Sequence, residues 1–461
     1  MNKSMYWCVL VISAVFAPLP ARANLYSAAA ATEKKEYAKA FELYRELAEM
    51  GQPEAQENLA VMYVNGEGVK RDNVLGYAWA AIAIENGGGE AAKGIVAQLE
   101  PHMNDAARAR VADLESRFGK EALEKSLIPV PPARSETPKP QNCKIVGPAN
   151  PETYYPAGAR RQSITGDTVV EFLVYGDGRA HDPRSMHSFP PDVFSVAGRA
   201  VALNNRAAPH MVNGAVVPCS LKIKIKFSLK FPGQKVSLKE DILPTRERAM
   251  RGDPMAQMAY AIVIENRSDL AEKDESPLEW YLKAAQAGIP AAQHIVGAYA
   301  LSGSAVEQQA KGPIWLNKAA DAGNPEGQLA LANYYLRQLP DPVALAAAVD
   351  WFGKAVDGGS RDARFYFAAL LATGPDAALR NPARALELTE KAKDDFGMNP
   401  IWFEIRAAAY AAQGDFEKAK KEQGTAVRTA KRLEWNTAPQ EARLADYAGS
   451  KPWSGDLFAF Y

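Results

Sequence analysis

The phrase Gly288-Ile289-Pro290-Ala291-Ala292-Gln293 recurs along the chain and sets its spacing. Gly51-Gln52-Pro53-Glu54-Ala55-Gln56, Gly252-Asp253-Pro254-Met255-Ala256-Gln257 and Gly323-Asn324-Pro325-Glu326-Gly327-Gln328 repeat it, and Gly359-Ser360-Arg361-Asp362-Ala363-Arg364 is a worn copy. Adjacent copies place their glycines 35 or 36 residues apart, at 252, 288, 323 and 359, and Gly87 follows Gly51 at the same spacing. A fixed period of that size means stacked units. Glycine can take the left-handed conformation that ends a helix. The next residue, Asp253, Asn324 or Ser360, suits an N-cap, and the proline after it suits the first helical position. The phrase therefore predicts a joint between two helices.

Two further positions keep the same register. The ninth residue from each glycine is Ala60, Ala261, Gly297, Ala332 or Ala368, and eight residues before the repeat glycines at 87, 288, 323 and 359 stand Trp79, Trp280, Trp315 and Trp351. A small residue lets the next helix approach closely and a large ring fills the groove, so the tryptophans are expected in the core.

The N-terminus reads as a secretory signal, with Lys3 in a basic start, an apolar run from Tyr6 to Ala17, and Ala21-Arg22-Ala23 as a small-x-small cleavage site. Asn24 is then the first mature residue. The rival reading is an uncleaved membrane anchor, although the run is shorter than the roughly 20 residues a spanning helix needs. Cleavage removes Cys8 and leaves Cys143 and Cys219. In an exported protein these two suggest one disulfide, contributing about 4 kcal/mol in the chain-entropy model, with two independent thiols as the alternative.

At 461 residues the chain has room for several domains. Residues 24–127 carry helical periodicity, with Asn65-Gly66-Glu67-Gly68 as an inter-helix loop and a polar segment after Gly87-Gly88-Gly89 that suits a capping role. Residues 128–142 are a proline-rich linker, able to reach roughly 45 Å when extended. The repeats are missing from 143–232, resume over 241–396, and give way to a different helical hairpin in 397–461, where the pattern fades after Ala419.

Within 143–232, Thr168 to Tyr175 is β-rich, Gly176-Asp177-Gly178 and Asn213-Gly214 are turn signals, and Pro191 to Leu203 is a helix candidate. Leu221 to Lys230 alternates strictly, as does a strand with one buried face. Lys222, Lys224, Lys226 and Lys230 form a basic stripe on its other face, either a solvated face that discourages aggregation or a surface for an acidic partner or lipid headgroups.

The surroundings of the repeat phrase, Leu278-Glu279-Trp280-Tyr281-Leu282-Lys283-Ala284-Ala285-Gln286-Ala287-Gly288, resemble Sel-one-like repeats, relatives of the tetratricopeptide repeat. The tail, with Gly414-Asp415-Phe416 and Ala419, resembles an ordinary tetratricopeptide hairpin. These resemblances imply α-hairpins stacked as a solenoid that binds other proteins, without catalysis. The middle segment resembles the C-terminal domain of TonB-family energy transducers through Tyr155-Pro156, Ala159-Arg160-Arg161, Gly166, Val169 to Val174, Asp177-Gly178, Arg206 and Pro209. Asn205 stands where that family usually has an aromatic. The resemblance implies a small α+β fold that pairs with a peptide strand of an outer-membrane receptor at an open sheet edge. Arg206 joins Lys222, Lys224 and Lys226 as candidate partner-binding residues.

The expected architecture is thus multidomain, an α-solenoid flanking a small α+β domain. Equal numbers of acidic and basic residues, 54 each, argue against a nucleic-acid binder. His181, His187 and His210, with Cys143 and Cys219, match no ordinary zinc spacing and read as surface or turn histidines. No nucleophile elbow, phosphate loop or zinc helix occurs, so neither catalysis nor a cofactor is expected. The chain reads as an exported periplasmic interaction scaffold binding proteins. The alternative is an energy transducer held in the inner membrane by an uncleaved N-terminal helix and facing the periplasm.

Overall fold

The computed structural model describes residues 23–129, 143–162, 164, 166–189, 193–212, 215–227, 238–266, 270–272, 275–303, 305–455 and 457. Residues 1–22 of the expected signal, most of the proline-rich linker, Asn213-Gly214 and Lys230 lie outside them. The chain divides into two compact units, one formed by residues up to Ile128 with Lys283–Ile289, the other by Pro129–Leu282 with Pro290–Tyr461.

The first unit is helical: α1 Leu25–Glu33, α2 Tyr37–Glu49, α3 Pro53–Asn65, α4 Asn73–Glu85, α5 Glu90–Leu99, α6 Asp105–Phe118 and α7 Lys120–Ser126. Its joint is built as the phrase predicts. Gly51 is left-handed at φ 83°, the Gln52 side chain accepts from the Ala55 N–H, and Pro53 opens α3. The last residue of the phrase has a role that the sequence did not disclose. Gln56 is buried, and its Nε2 reaches back 3.0 Å to the Ala48 carbonyl, tying α3 to the end of α2. Trp79 is buried and stacks on Phe118 at 5.4 Å, so α6 covers the groove that a further repeat would fill. Residues 283–289 complete this unit: Leu25 N–H donates to the Ala287 carbonyl and Gln286 Nε2 to the Met50 carbonyl.

The second unit opens with the strands: β1 Lys144–Gly147, α8 Ala157–Arg161, β2 Gly166–Val174, β3 Ala180–Phe189, α9 Ser195–Leu203, β4 Arg206–Ala208, β5 His210–Val212, β6 Ala215–Val217 and β7 Cys219–Phe227. A three-stranded antiparallel sheet runs in the order β3-β2-β7, with β1-β4 and β5-β6 as separate pairs. Val170, Phe172 and Val174 alternate into a core shared with Phe194 and Phe227. The tyrosine of the Tyr155-Pro156 pair packs edge-on against both phenylalanines, and its hydroxyl donates to the Ile164 carbonyl at 2.6 Å. Gly198 lets α9 lie on the sheet, since a Cβ there would stand 2.3 Å from the Thr168 methyl. Cys143 and Cys219 are joined as a buried disulfide with Cα atoms 6.3 Å apart, fastening the entry of the domain to the start of β7.

Helices then follow: α10 Leu238–Met250, α11 Pro254–Asn266, α12 Pro277–Gln286, α13 Pro290–Ser302, α14 Val306–Gln309, α15 Gly312–Asp321, α16 Pro325–Leu336, α17 Pro342–Asp357, α18 Arg361–Thr373, α19 Pro382–Lys391, α20 Lys393–Phe396, α21 Pro400–Ala412, α22 Phe416–Arg432 and α23 Ala438–Ala448. Gly252, Gly323 and Gly359 are left-handed, and Asp253, Asn324 and Ser360 each accept a hydrogen bond from the first turn of the next helix. Gln257 and Gln328 repeat the tie of Gln56, to the Ala249 and Ala320 carbonyls. Ala261, Ala332 and Ala368 are fully buried, and at Gly297 a Cβ would come 2.9 Å from Leu316.

Two expectations need correcting. Trp280 and Trp315 are core residues, but Trp351 is only half-buried, with Lys354 Nζ 3.9 Å above its ring. The structure also does not fade after the tail hairpin. Helix α23 packs there through polar residues, Arg443 pairing with Glu404 and Gln440 donating to it, which is why no apolar period marks it.

Candidate partner-binding site

Strand β7 is a sheet edge among the described residues, paired only with β2. Its register with β2 is unbroken from Gly166↔Phe227 to Val174↔Cys219. Cys219, Ile225 and Phe227 face the core, while Leu221 and Ile223 on the same face are half-buried. The lysines occupy the opposite face, where the sheet supplies its own acids: Lys222 stands across from Glu171, and Lys224 Nζ pairs with Asp167 at 3.3 Å. Lys222 and Lys226 remain exposed.

The other edge differs. The β2–β3 register shifts between Glu171 and Leu173, a bulge that leaves Asp182 at φ 45°. Asp182 is buried, receives 2.9 and 2.6 Å hydrogen bonds from Arg184, and accepts one from the Tyr366 hydroxyl of α18. One edge is therefore engaged by the repeats, while among the described residues β7 pairs with β2 alone.

Arg206 does not join the lysines. It sits in β4, bridged to Arg179, and both guanidiniums reach the carboxylate of Glu434, which follows α22 in a left-handed conformation at φ 58°. The next residue, Trp435, lies against His181 with ring centroids 4.0 Å apart. Asp177, read from sequence only as a turn residue, accepts from the Arg179 and Asn436 N–H groups and bonds His181 Nε2 at 2.8 Å. Burial opposes its charge, but His181 and these N–H donors hold the carboxyl below its usual range. His181 is thus a buried junction residue rather than a surface one. Burial depresses its imidazole below the ordinary value despite Asp177. The His187 side chain lies outside the described residues; His210 opens β5 and is half-buried.

A third cluster lies further along. Arg199 of α9 is 5% exposed, with Nη1 3.3 Å from Asp362, Nη2 3.5 Å from Asp395 and its guanidinium 4.5 Å from the Phe396 ring centroid. Nothing in the local sequence marks these groups, because each partner comes from a distant segment.

The chain matches the model of the Gram-negative bacterial TonB protein C-terminal domain over residues 151–229, and the Sel1 repeat model over 25–52, 53–88, 278–289, 290–324, 325–360 and 362–395. Part of the stretch between them repeats the geometry unmatched, since Gly252, Asp253 and Gln257 form a joint of the same kind. Among solved structures the chain is similar to a protective antigen of uropathogenic Escherichia coli with an SLR fold, at 18% identity and TM-score 0.36, over 89% of this chain and 79% of that one. It is also similar to a Sel1 repeat protein from Oxalobacter formigenes, at 14% identity and TM-score 0.30, over 80% of this chain and 99% of that one. A third is yeast Tom70, at 14% identity and TM-score 0.26, over 92% and 80%. No curated protein sequence matches.

Proposed function

Because the chain is built of Sel1 repeats around a TonB C-terminal domain, we propose that it is an exported, periplasmic scaffold that binds proteins and performs no catalytic step. The repeats hold protein surfaces, and β7 takes an extended peptide as a fourth strand of the sheet. The observation that carries this is the single neighbour of β7 among the described strands. An added strand gains main-chain hydrogen bonds along β7, and its side chains meet half-buried Leu221 and Ile223 on one face, exposed Lys222 and Lys226 on the other. Asp167 and Glu171 already offset part of the basic charge, so the lysines favour an acidic peptide without demanding one.

A photo-crosslinking residue placed at Lys222 or Lys226 tests the edge in cells. Adducts of one discrete mass at both positions, absent at exposed Lys391 of α19, are expected; equal labelling at all three overturns the strand-addition reading. N-terminal sequencing of fractionated cells tests export. A soluble periplasmic product beginning at Asn24 is expected, whereas an intact Met1 in the inner membrane replaces the scaffold with an anchored transducer.

A further inference from the structure

Between α9 and the segment after α19 lies a cleft of about 80 Å³. Val196, Ala200, Leu203, Phe396 and Met398 give it an apolar wall, and Arg199 lines it together with Lys393. This is room for a branched aliphatic group rather than a ring. Arg199 uses one donor well, Nη1 toward Asp362. Its Nε and Nη2 are buried and have no hydrogen-bond partner, Nη2 lying 3.5 Å from Asp395 Oδ1 without the alignment a bond requires. Nε–H and the adjacent Nη2–H point the same way, and together they are the fork with which arginine takes both oxygens of a carboxylate. Leaving two such donors buried and unmet is costly, and an acceptor entering the cleft removes that cost.

We propose that this cleft binds a small aliphatic carboxylate, the Arg199 fork taking its oxygens and the apolar wall its hydrocarbon. The acids nearby are Asp362, Asp395 and Asp394, and the cations are Arg199, Lys393 and Arg361, the last 3.5 Å from Asp395. Burial pushes the Asp362 carboxyl up, against the pull of Arg199 and Arg184. The same chemistry is offered by a free branched-chain acid and by the C-terminus of a polypeptide ending in an aliphatic residue. The site stands apart from β7 and does not depend on strand addition there.

Met398 is exposed at the mouth and reports on occupancy. With the full chain labelled at methionine methyls, N-acetyl-leucine is expected to shift the Met398 resonance saturably at millimolar concentration, and N-acetyl-leucinamide, which lacks the carboxylate, to bind at least about ten-fold more weakly. Val196→Phe fills the cleft without touching the ion pairs of Arg199, and is expected to abolish the shift while the melting temperature holds. Isovalerate binding as tightly as N-acetyl-leucine identifies a free acid; tightening with acetyl-Gly-Gly-Leu identifies a polypeptide C-terminus. Equal shifts from acid and amide, or none up to about 20 mM, overturn the proposal.

Discussion

At the Gly323 joint the hydrogen bonds that turn the chain close within eight residues, whereas where the strands meet the last helices the partners are more than 160 residues apart. Gly323 N–H bonds the Ala320 carbonyl, Asn324 caps Gly327, and Gln328 returns to Ala320. Against these stand Arg199 with Asp362 at a separation of 163, Asp182 with Tyr366 at 184, Arg206 with Glu434 at 228 and Asp177 with Asn436 at 259. A joint made of near neighbours can be copied along a chain without reference to anything else, which is how a solenoid grows. A junction made of remote charges specifies one placement of the strands against the helices. It does so at the expense of desolvating each charge, so it tolerates loss of a partner badly.

The comparison predicts unequal costs. Arg199→Ala leaves Asp362 buried without the guanidinium that pairs with it and Asp395 with Arg361 alone, and is expected to destabilise the second unit by about 3–5 kcal/mol, the largest effect here. Urea unfolding followed by amide exchange in α18 measures it, and a loss no greater than that of a joint substitution breaks the distinction. Gly297→Leu, which forces a side chain against Leu316 and the Gly312 carbonyl, is expected to cost about 2–3 kcal/mol by overpacking. Its damage should register as faster exchange in α13 and α15 while the sheet amides stay protected.

The same contrast explains what was legible. Gly51, Asn324 and Pro325 act through backbone conformation, which residue type restricts directly, and Trp315 with Ala332 through size. Both therefore leave a period in the sequence. The alternation from Leu221 to Phe227 was readable for a similar reason, since facing water or core is a property each residue carries. Gln56 and Gln328 recur in plain sight, yet a polar residue in a joint reads as surface until the carbonyl it meets is known. Arg206 was singled out by family resemblance, but Glu434 lies 228 residues away and no local pattern announces it. Helix α23 was missed because Gln440 and Arg443 are buried against Glu404 instead of apolar residues.

Gln328→Ala sharpens the comparison from the weak side. The Ala320 carbonyl keeps the Gly323 N–H, so losing the Gln328 donor does not leave it unpaired and about 1 kcal/mol is expected. Adding Ser360→Ala at the next joint should cost a further ~1 kcal/mol, additively, because the two joints share no hydrogen bond. A strongly non-additive pair, read from denaturant midpoints, shows the joints to be coupled and the local picture to be too simple.

The smallest effect is a pH dependence confined to the junction. His181 faces Asp177, Tyr175 and Trp435, with Asp182 nearby, and burial holds its imidazole below the ordinary value in the fold. A folded-state pKa below the unfolded one means that the unfolded chain takes up the proton first. Stability is then fully present above the ordinary value near 6.5 and falls as pH drops from there toward the depressed folded value. At pH 6 the loss is at most about 1 kcal/mol, the free energy of protonating the unfolded imidazole. His181→Gln, which keeps a polar group beside Asp177 without a titrating proton, should remove that part of the acid sensitivity in thermal unfolding between pH 7 and pH 5. It should leave the exchange of α2 and α3 as in the unsubstituted chain at every pH, because His181 belongs to the other compact unit and their joint is held by Gln52, Gln56, the backbone of Gly51 and the Gln286 bond to Met50.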